Sequence, residues 1–226
     1  MRTLETTNIP FQALPDIGHV ASEYLTVGDF ERRRRPLTIV FGLFAMTALF
    51  ATGSAWPLHG VMRELFFFIG ICMAAIGMLG RTWSNLFISG YKTRVLIQSG
   101  PYSICRNPLY FFSAIGMIGI GLCSETILLP LMMLLFFSLY YPWIISCEEK
   151  RLSAAHHEDY QEYCRRVPAF WPRLSTYEEP QSYTMIPRVM RKNIVDTFWF
   201  VALAAIVHIV ADLHETHALP EFFTFW

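Results

Sequence analysis

Two stretches of this chain carry polar groups where apolar runs begin and end. In GPYSICRNPLYFF, Gly100 to Phe112, an arginine, an asparagine and a proline stand at the threshold of a hydrophobic segment. In ISCEEKRL, Ile145 to Leu152, two adjacent glutamates close another. An ionisable side chain within a membrane helix costs about 2.5–3.5 kcal/mol on insertion scales, so such groups need partners. Carboxylates accept hydrogen bonds and balance positive charge, and a guanidinium donates in a planar fork. If the intervening residues form a helical hairpin, Arg106, Asn107 and Pro108 at the entrance of one arm face Glu148 and Glu149 at the exit of the other. Proline suits that entrance because the first turn of a helix needs no amide donor from it, and Tyr110 then projects from the same turn. The result is a polar pocket at membrane depth. Taken alone, the two glutamates read equally well as an interfacial capping or salt-bridge pair.

The elements that must position these groups follow from composition. Hydrophobic residues make up 54% of the 226 and charged residues only 16%, well below the quarter or so usual in soluble domains. Windows long enough to cross the roughly 30 Å hydrocarbon layer lie at Leu37–Trp56, Val61–Gly80, Ile127–Cys147 and Ile194–Ala211, with a shorter one at Leu109–Cys123. Arg63 and Glu64 sit at the entrance of the second window, and Ser124, Glu125 and Thr126 form the turn between the short window and the one after it. The expected fold is therefore all-α: an integral membrane bundle of about five spanning helices plus cytoplasmic helices.

Charge placement tests the count separately, because lysine and arginine accumulate on the cytoplasmic side. With five crossings and the amino terminus inside, one face receives Arg2, Arg32 to Arg35, Arg81, Lys92, Arg94, Arg106, Lys150, Arg151, Arg165, Arg166, Arg173, Arg188, Arg191 and Lys192, and only Arg63 falls outside it. Without the short crossing, Lys150 to Lys192 change sides. The expected organisation is a cytoplasmic amino-terminal segment at 1–35, a membrane core at 36–175, and an extension at 176–226 carrying an additional spanning helix. The amino terminus lacks the pattern of a cleaved signal, so the first spanning helix reads as an uncleaved anchor. Ile17, Val20, Ala21, Tyr24, Leu25 and Gly28 have the spacing of a short surface helix, with a solvated tail as the alternative.

Other candidate chemistries carry less. Cys72, Cys105, Cys123, Cys147 and Cys164 show no paired spacing and read as small packing groups rather than disulfides or nucleophiles. His214 and His217, with Asp212 and Glu215, match no standard zinc spacing, and no metal is expected. His156 and His157 follow the glutamates on an amphipathic cytoplasmic helix expected over Glu148 to Arg166, with His157 the one that can reach the site. The glycines from Gly116 to Gly121 lie inside an apolar run with no preceding strand, which favours close helix packing over a phosphate-binding loop.

Taken in order, Gly100-Pro101-Tyr102, Arg106-Asn107-Pro108-Leu109-Tyr110, an apolar hairpin, Glu148-Glu149 with Leu152, Tyr160 and Tyr163, and finally VPAFWPRL from Val167 to Leu174 form a series. That series resembles the isoprenylcysteine carboxyl methyltransferase and phospholipid methyltransferase superfamily of membrane enzymes, over roughly Gly77 to Leu174. Isoprenylcysteine methyltransferases usually carry arginine-histidine-proline, whereas this chain has Asn107, a form closer to phosphatidylethanolamine methyltransferases. The resemblance implies an S-adenosylmethionine site at the cytoplasmic ends of the core helices, with a lateral route from the bilayer. It implies that Arg106, Glu148 and Glu149 are the catalytic-site residues, and that Gly77, Gly80, Arg81, Gly100, Pro101, Tyr102, Asn107, Pro108 and Tyr110 join them around the cofactor. The glutamates would meet the cofactor's ammonium, and Arg106 or Arg81 its carboxylate.

Methyl transfer is an in-line displacement in which alignment and exclusion of water supply much of the catalysis. A carboxylate acceptor needs no base and favours Arg81, Arg94 or Arg106 nearby, whereas an amine acceptor must first lose a proton, for which a glutamate is available. The expected partner is a lipid or lipid-like molecule entering from the membrane, its tail held by residues such as Phe111, Phe112, Tyr140 and Trp143; no nucleic acid is implied, and the oligomeric state is left open. Two alternatives stand beside this reading. One is a membrane reductase of the sterol type using NADPH, which resembles the same hairpin architecture. The other is a non-enzymatic membrane scaffold, which leaves the polar cluster unexplained.

Overall fold

The computed structural model describes residues 40, 42, 43, 47, 52–54, 61–88, 95–183, 185–216 and 223–225. The chain divides into two units, Met1–Thr47 and Ala48–Trp226. In the first, Val40, Gly42, Leu43 and Thr47 have helical backbone, and the Thr47 hydroxyl donates to the Leu43 carbonyl at 2.8 Å. The surface helix over 17–28, the basic run at 32–35, Lys92, Arg94 and His217 lie outside the described residues, as does most of the expected first crossing at Leu37–Trp56, within which Thr52–Ser54 are extended rather than helical.

The second unit contains β1 (Thr52–Ser54), α1 (Val61–Ile88), α2 (Pro101–Ile104), α3 (Pro108–Leu122), α4 (Leu128–Arg166), a 3-10 turn (Leu174–Thr176), α5 (Pro187–Glu215) and β2 (Phe223–Phe225). The four windows read from Val61 onward are thus helices. Three of them, α1, α4 and α5, are long and apolar enough to cross a membrane, and α3 is the shorter apolar arm. The architecture is a helical membrane bundle. Its described residues add one small sheet to the all-α expectation, a parallel pairing of Thr52–Ser54 with Phe223–Phe225.

Helices α1 and α3 run antiparallel along a seam of small side chains. Gly70, Ala74, Gly77, Gly80 and Ser84 recur every three or four positions on the buried face of α1. A Cβ built at Gly77 would lie 2.5 Å from Gly116 Cα, so the two backbones touch only because both residues lack a side chain. The glycines of 116–121 are packing residues, as their spacing suggested. Between lipid-soluble helices the hydrophobic effect supplies little drive, and this close approach replaces it with dispersion. Helix α5 lies antiparallel to α1, with the Thr82 and Thr197 hydroxyls 2.9 Å apart and the Phe200 ring against Gly116. Val61, Phe68 and Leu79 of α1, and Leu135 and Leu139 of α4, are at least 60% exposed, which suits a hydrocarbon surround rather than water.

The turn joining α3 to α4 is the one read at Ser124 to Thr126. The Ser124 hydroxyl donates to Gly121 O at 2.7 Å, and Glu125 takes a left-handed backbone with φ 58°. Helix α4 departs from expectation at its far end. It continues through Glu148 without interruption, since no glycine or proline lies between Trp143 and Val167, and breaks instead at His157, with φ 39° and ψ −110°. Such a backbone is strained for a non-glycine residue by about 1–3 kcal/mol and is retained where surrounding contacts fix it. Here the break turns the last helical segment so that Tyr160 and Tyr163 pack with Val167 against Leu96, Leu152 and Cys164. His157 itself is exposed.

Candidate active site

Proline starts the two helices that frame the site. Pro101 opens α2 after Gly100, whose φ of 61° places its amide to donate to Glu178 O at 2.7 Å; a Cβ there would collide with the Phe87 ring. Pro108 opens α3 after Asn107, and the largely buried first turn of α3 then aims its polar side chains at α4.

Those side chains meet the two glutamates one for one. The Tyr110 hydroxyl donates to Glu148 Oε2 at 2.7 Å. The Asn107 amide donates to Glu149 Oε1 at 3.1 Å and to the Ala169 carbonyl at 3.0 Å, which fixes its orientation. Arg106 Nη2 lies 3.4 Å from the same Glu149 oxygen, and Arg106 Nη1 donates to Cys164 Sγ. Arg106 is mostly buried, with a side-chain exposure of 15%, and its Nε has no hydrogen-bond partner. The structure therefore brings together Arg106, Asn107, Pro108, Tyr110, Glu148 and Glu149. Arg81 sits slightly deeper, donating to the Ser113 hydroxyl and, at 3.4 Å, to Leu109 O, with its guanidinium 5.6 Å from the Phe200 ring centre. Tyr102 links it to the cluster: burial, then the charges of Glu148, Tyr163 and Tyr110, push its phenol well above the usual value while Arg81 opposes them. Its ring oxygen stays neutral at any physiological pH. Gly77 and Gly80 face α3, where a Cβ at Gly80 would enter the Phe112 ring.

The cluster has a floor built from VPAFWPRL, the last stretch of the motif series, to which the sequence alone assigned no position. Residues 168–173 run back alongside 104–107: Arg106 N donates to Pro168 O at 2.9 Å, Cys105 Sγ to Phe170 O at 3.0 Å, and Arg173 N to Ile104 O at 2.9 Å. The signal was present in Pro168 and Pro172, which forbid a helix there and leave carbonyls free to accept. Tyr163 pins α2 by donating to Tyr102 O at 2.7 Å. Cys105 is fully buried in this contact, and burial raises its thiol to about 11, which suits the packing role read from its spacing. Ser113 and Cys164, partners of the two arginines, had no distinguishing spacing.

Comparison with known proteins gives three findings. The family model described as phospholipid methyltransferase matches residues 65–159, which contain α3, its turn and both glutamates. The cobalt-zinc-cadmium resistance protein CzcN of Cupriavidus metallidurans is 35% identical over 176 residues, covering 78% of this chain and 81% of its own. The nickel-cobalt-cadmium resistance protein NccN of Alcaligenes xylosoxydans xylosoxydans is 36% identical over 154 residues, covering 68% of this chain and 70% of its own. No solved structure matches. With the family's hairpin intact and an identity of 35% sustained over most of a curated relative, this chain belongs to the phospholipid methyltransferase family.

Proposed function

We propose that this protein is an S-adenosylmethionine-dependent methyltransferase acting on a lipid or lipid-like acceptor. The observation that carries the reading is the pairing of Tyr110 with Glu148, and of Asn107 and Arg106 with Glu149, at one end of an apolar hairpin. Each glutamate commits one carboxylate oxygen to these contacts. The other, Oε1 of Glu148 and Oε2 of Glu149, has no partner among the described residues and is available to a cationic group. The buried Arg106 Nε is likewise available to a carboxylate. The residues thus fit a ligand bearing both an ammonium and a carboxylate, as this cofactor does. When bound, the cofactor supplies a methyl group on a cationic sulfur.

The chain's own part is binding, orientation and exclusion of water. Glu148 and Glu149 hold positive charge, Arg106 holds negative charge, and Tyr110 and Asn107 fix the carboxylates in place so that neither must reorganise during the reaction. For an amine acceptor, the free oxygen of Glu148 can take the proton; a carboxylate acceptor needs no such step. The two relatives are named for resistance to cobalt, zinc, cadmium and nickel, so an envelope lipid of cells exposed to those metals is the acceptor to try first. Isothermal titration of the purified protein is the test. S-adenosylhomocysteine should bind at one equivalent and NADPH should not; the reverse would establish the reductase alternative.

The site is proposed to face the cytoplasm, with the amino terminus on the same side and the carboxyl terminus outside. The parallel pairing of 52–54 with 223–225 keeps the segment before α1 and the segment after α5 on one side, and the lysines and arginines concentrated at the other end carry the reading that the other end is cytoplasmic. Reporter fusions after Trp226 should be active outside the cytoplasm, and cytoplasmic activity would refute the five-crossing arrangement.

A further inference from the structure

The other end of the bundle carries a second polar cluster. Arg63 in the first turn of α1 is 18 residues before Arg81, which along a helix is about 27 Å from the site above. Around it converge Glu125 from the α3–α4 turn and His208 and Asp212, one turn apart on α5. Arg63 Nε donates to Glu125 Oε2 and Arg63 Nη2 to Asp212 Oδ1. The remaining oxygens turn to the imidazole: Glu125 Oε1 lies 3.0 Å from His208 Nδ1, and Asp212 Oδ2 lies 3.8 Å from His208 Nε2. Phe67 stacks on the imidazole with ring centres 3.9 Å apart, which limits its rotation.

Three features distinguish this cluster from an ordinary ion pair. Among the described residues two carboxylates face one guanidinium, so with a neutral imidazole the group carries one formal negative charge that a further cation would balance. Glu125 has a side-chain exposure of only 11%, where an unbalanced charge is costly. Finally, one imidazole nitrogen and one oxygen from each carboxylate lie within 4.8 Å of one another, the ligand types and number of a three-residue metal site. One imidazole with two carboxylates suits divalent first-row ions and leaves coordination positions for water.

We propose that Glu125, His208 and Asp212 form a binding site for a divalent transition-metal ion of the zinc or cobalt type, with Arg63 as a built-in competitor for the two carboxylates. The ion takes the oxygens that the guanidinium holds, and Arg63 turns toward solvent. The site is separate from the methyl-transfer reading and does not depend on it. Because the cluster joins α1, the α3–α4 turn and α5, its occupancy ties the additional helix to the core.

The test uses the full chain in detergent micelles, titrated with Co²⁺ and followed by d–d absorption, and with Zn²⁺ followed by calorimetry. Wild type should bind one equivalent of each. His208→Ala and Glu125→Gln should weaken binding by about tenfold or more. Arg63→Gln should strengthen it, because the competing cation is gone; a purely ion-paired cluster has no reason to gain metal affinity from that change. Circular dichroism and gel filtration identify any variant that fails to fold, and the Arg63 variant decides the matter if the others do. Absence of stoichiometric binding in both wild type and Arg63→Gln overturns the proposal, as does a wild-type affinity unchanged by His208→Ala in folded protein.

Discussion

Replacing Glu149 with glutamine should weaken S-adenosylhomocysteine binding by about 10- to 150-fold, the equivalent of losing one charged hydrogen bond of about 1.5–3 kcal/mol. The change conserves shape. Asn107 can still donate to an amide oxygen at the position where it now meets Glu149 Oε1, 3.1 Å away, and it keeps its second contact with Ala169 O. What disappears is the negative charge available to a cationic ligand. Stability should fall less than binding: Arg106, with a side-chain exposure of 15%, loses a carboxylate partner, but the substituted amide oxygen can still accept from it and its contact with Cys164 Sγ remains. Glu148→Gln should behave similarly, since the Tyr110 hydroxyl can donate to the substituted amide as it does to the carboxylate. Arg106→Lys should also damage binding, because lysine has no counterpart of the buried Nε or of the planar fork. A variant that loses folding while its surviving fraction binds with unchanged affinity would make the glutamates a structural pair, and full affinity in Arg106→Lys would remove that residue from the site.

The polar cluster was legible before the fold because membrane burial makes charge expensive. Arg106, Glu148 and Glu149 stand at the borders of apolar runs, and the turn at Ser124 to Thr126 fixes which borders meet. The one-to-one match of Asn107 and Tyr110 with consecutive glutamates follows from the same register. Other features had no local signature. The break at His157 has no glycine or proline to mark it, and it is followed by the packing of Tyr160, Tyr163 and Val167. Pro168 and Pro172 mark the strap over 168–173 as non-helical, but the backbone carbonyls that hold it to 104–107 are groups every residue has, so its partner was not legible. The Arg63 cluster was hidden for a different reason. Its members come from positions 63, 125, 208 and 212, and Arg63, Glu125 and Asp212 each read alone as a tolerated charge near a helix end; their convergence depends on α5 lying antiparallel to α1. His208 is the member whose position inside an apolar helix, four residues before Asp212, was the available clue.

An acceptor with its tail shortened by two methylenes should react at least tenfold less efficiently, because each buried methylene contributes roughly 0.8 kcal/mol. The expectation rests on where the cluster lies. Its polar members stand at the end of the hairpin, and one turn further along α3 the surface becomes aromatic: Phe111 packs edge-on against Phe170 and Trp171, with ring centres 5.7 and 6.3 Å away. Tyr141 extends that wall along α4, backed by the buried Phe137, which stacks on it at 4.2 Å and reaches Phe170. Of the residues expected to hold a tail, Phe111 belongs to this wall and Trp143 is 45% exposed on α4, whereas Phe112 packs at Gly80 and Trp83 and Tyr140 is buried. A molecule lying along the wall keeps its hydrocarbon among apolar rings while its head group reaches Tyr110 and the glutamates, so the two solvents are divided at the first turn of α3. Matched acceptors with one head group and progressively shorter chains, assayed with labelled cofactor, measure the effect as a decline in kcat/KM. Turnover independent of chain length, or a preference for a fully water-soluble acceptor, would exclude entry from the bilayer even where methyl transfer itself is observed.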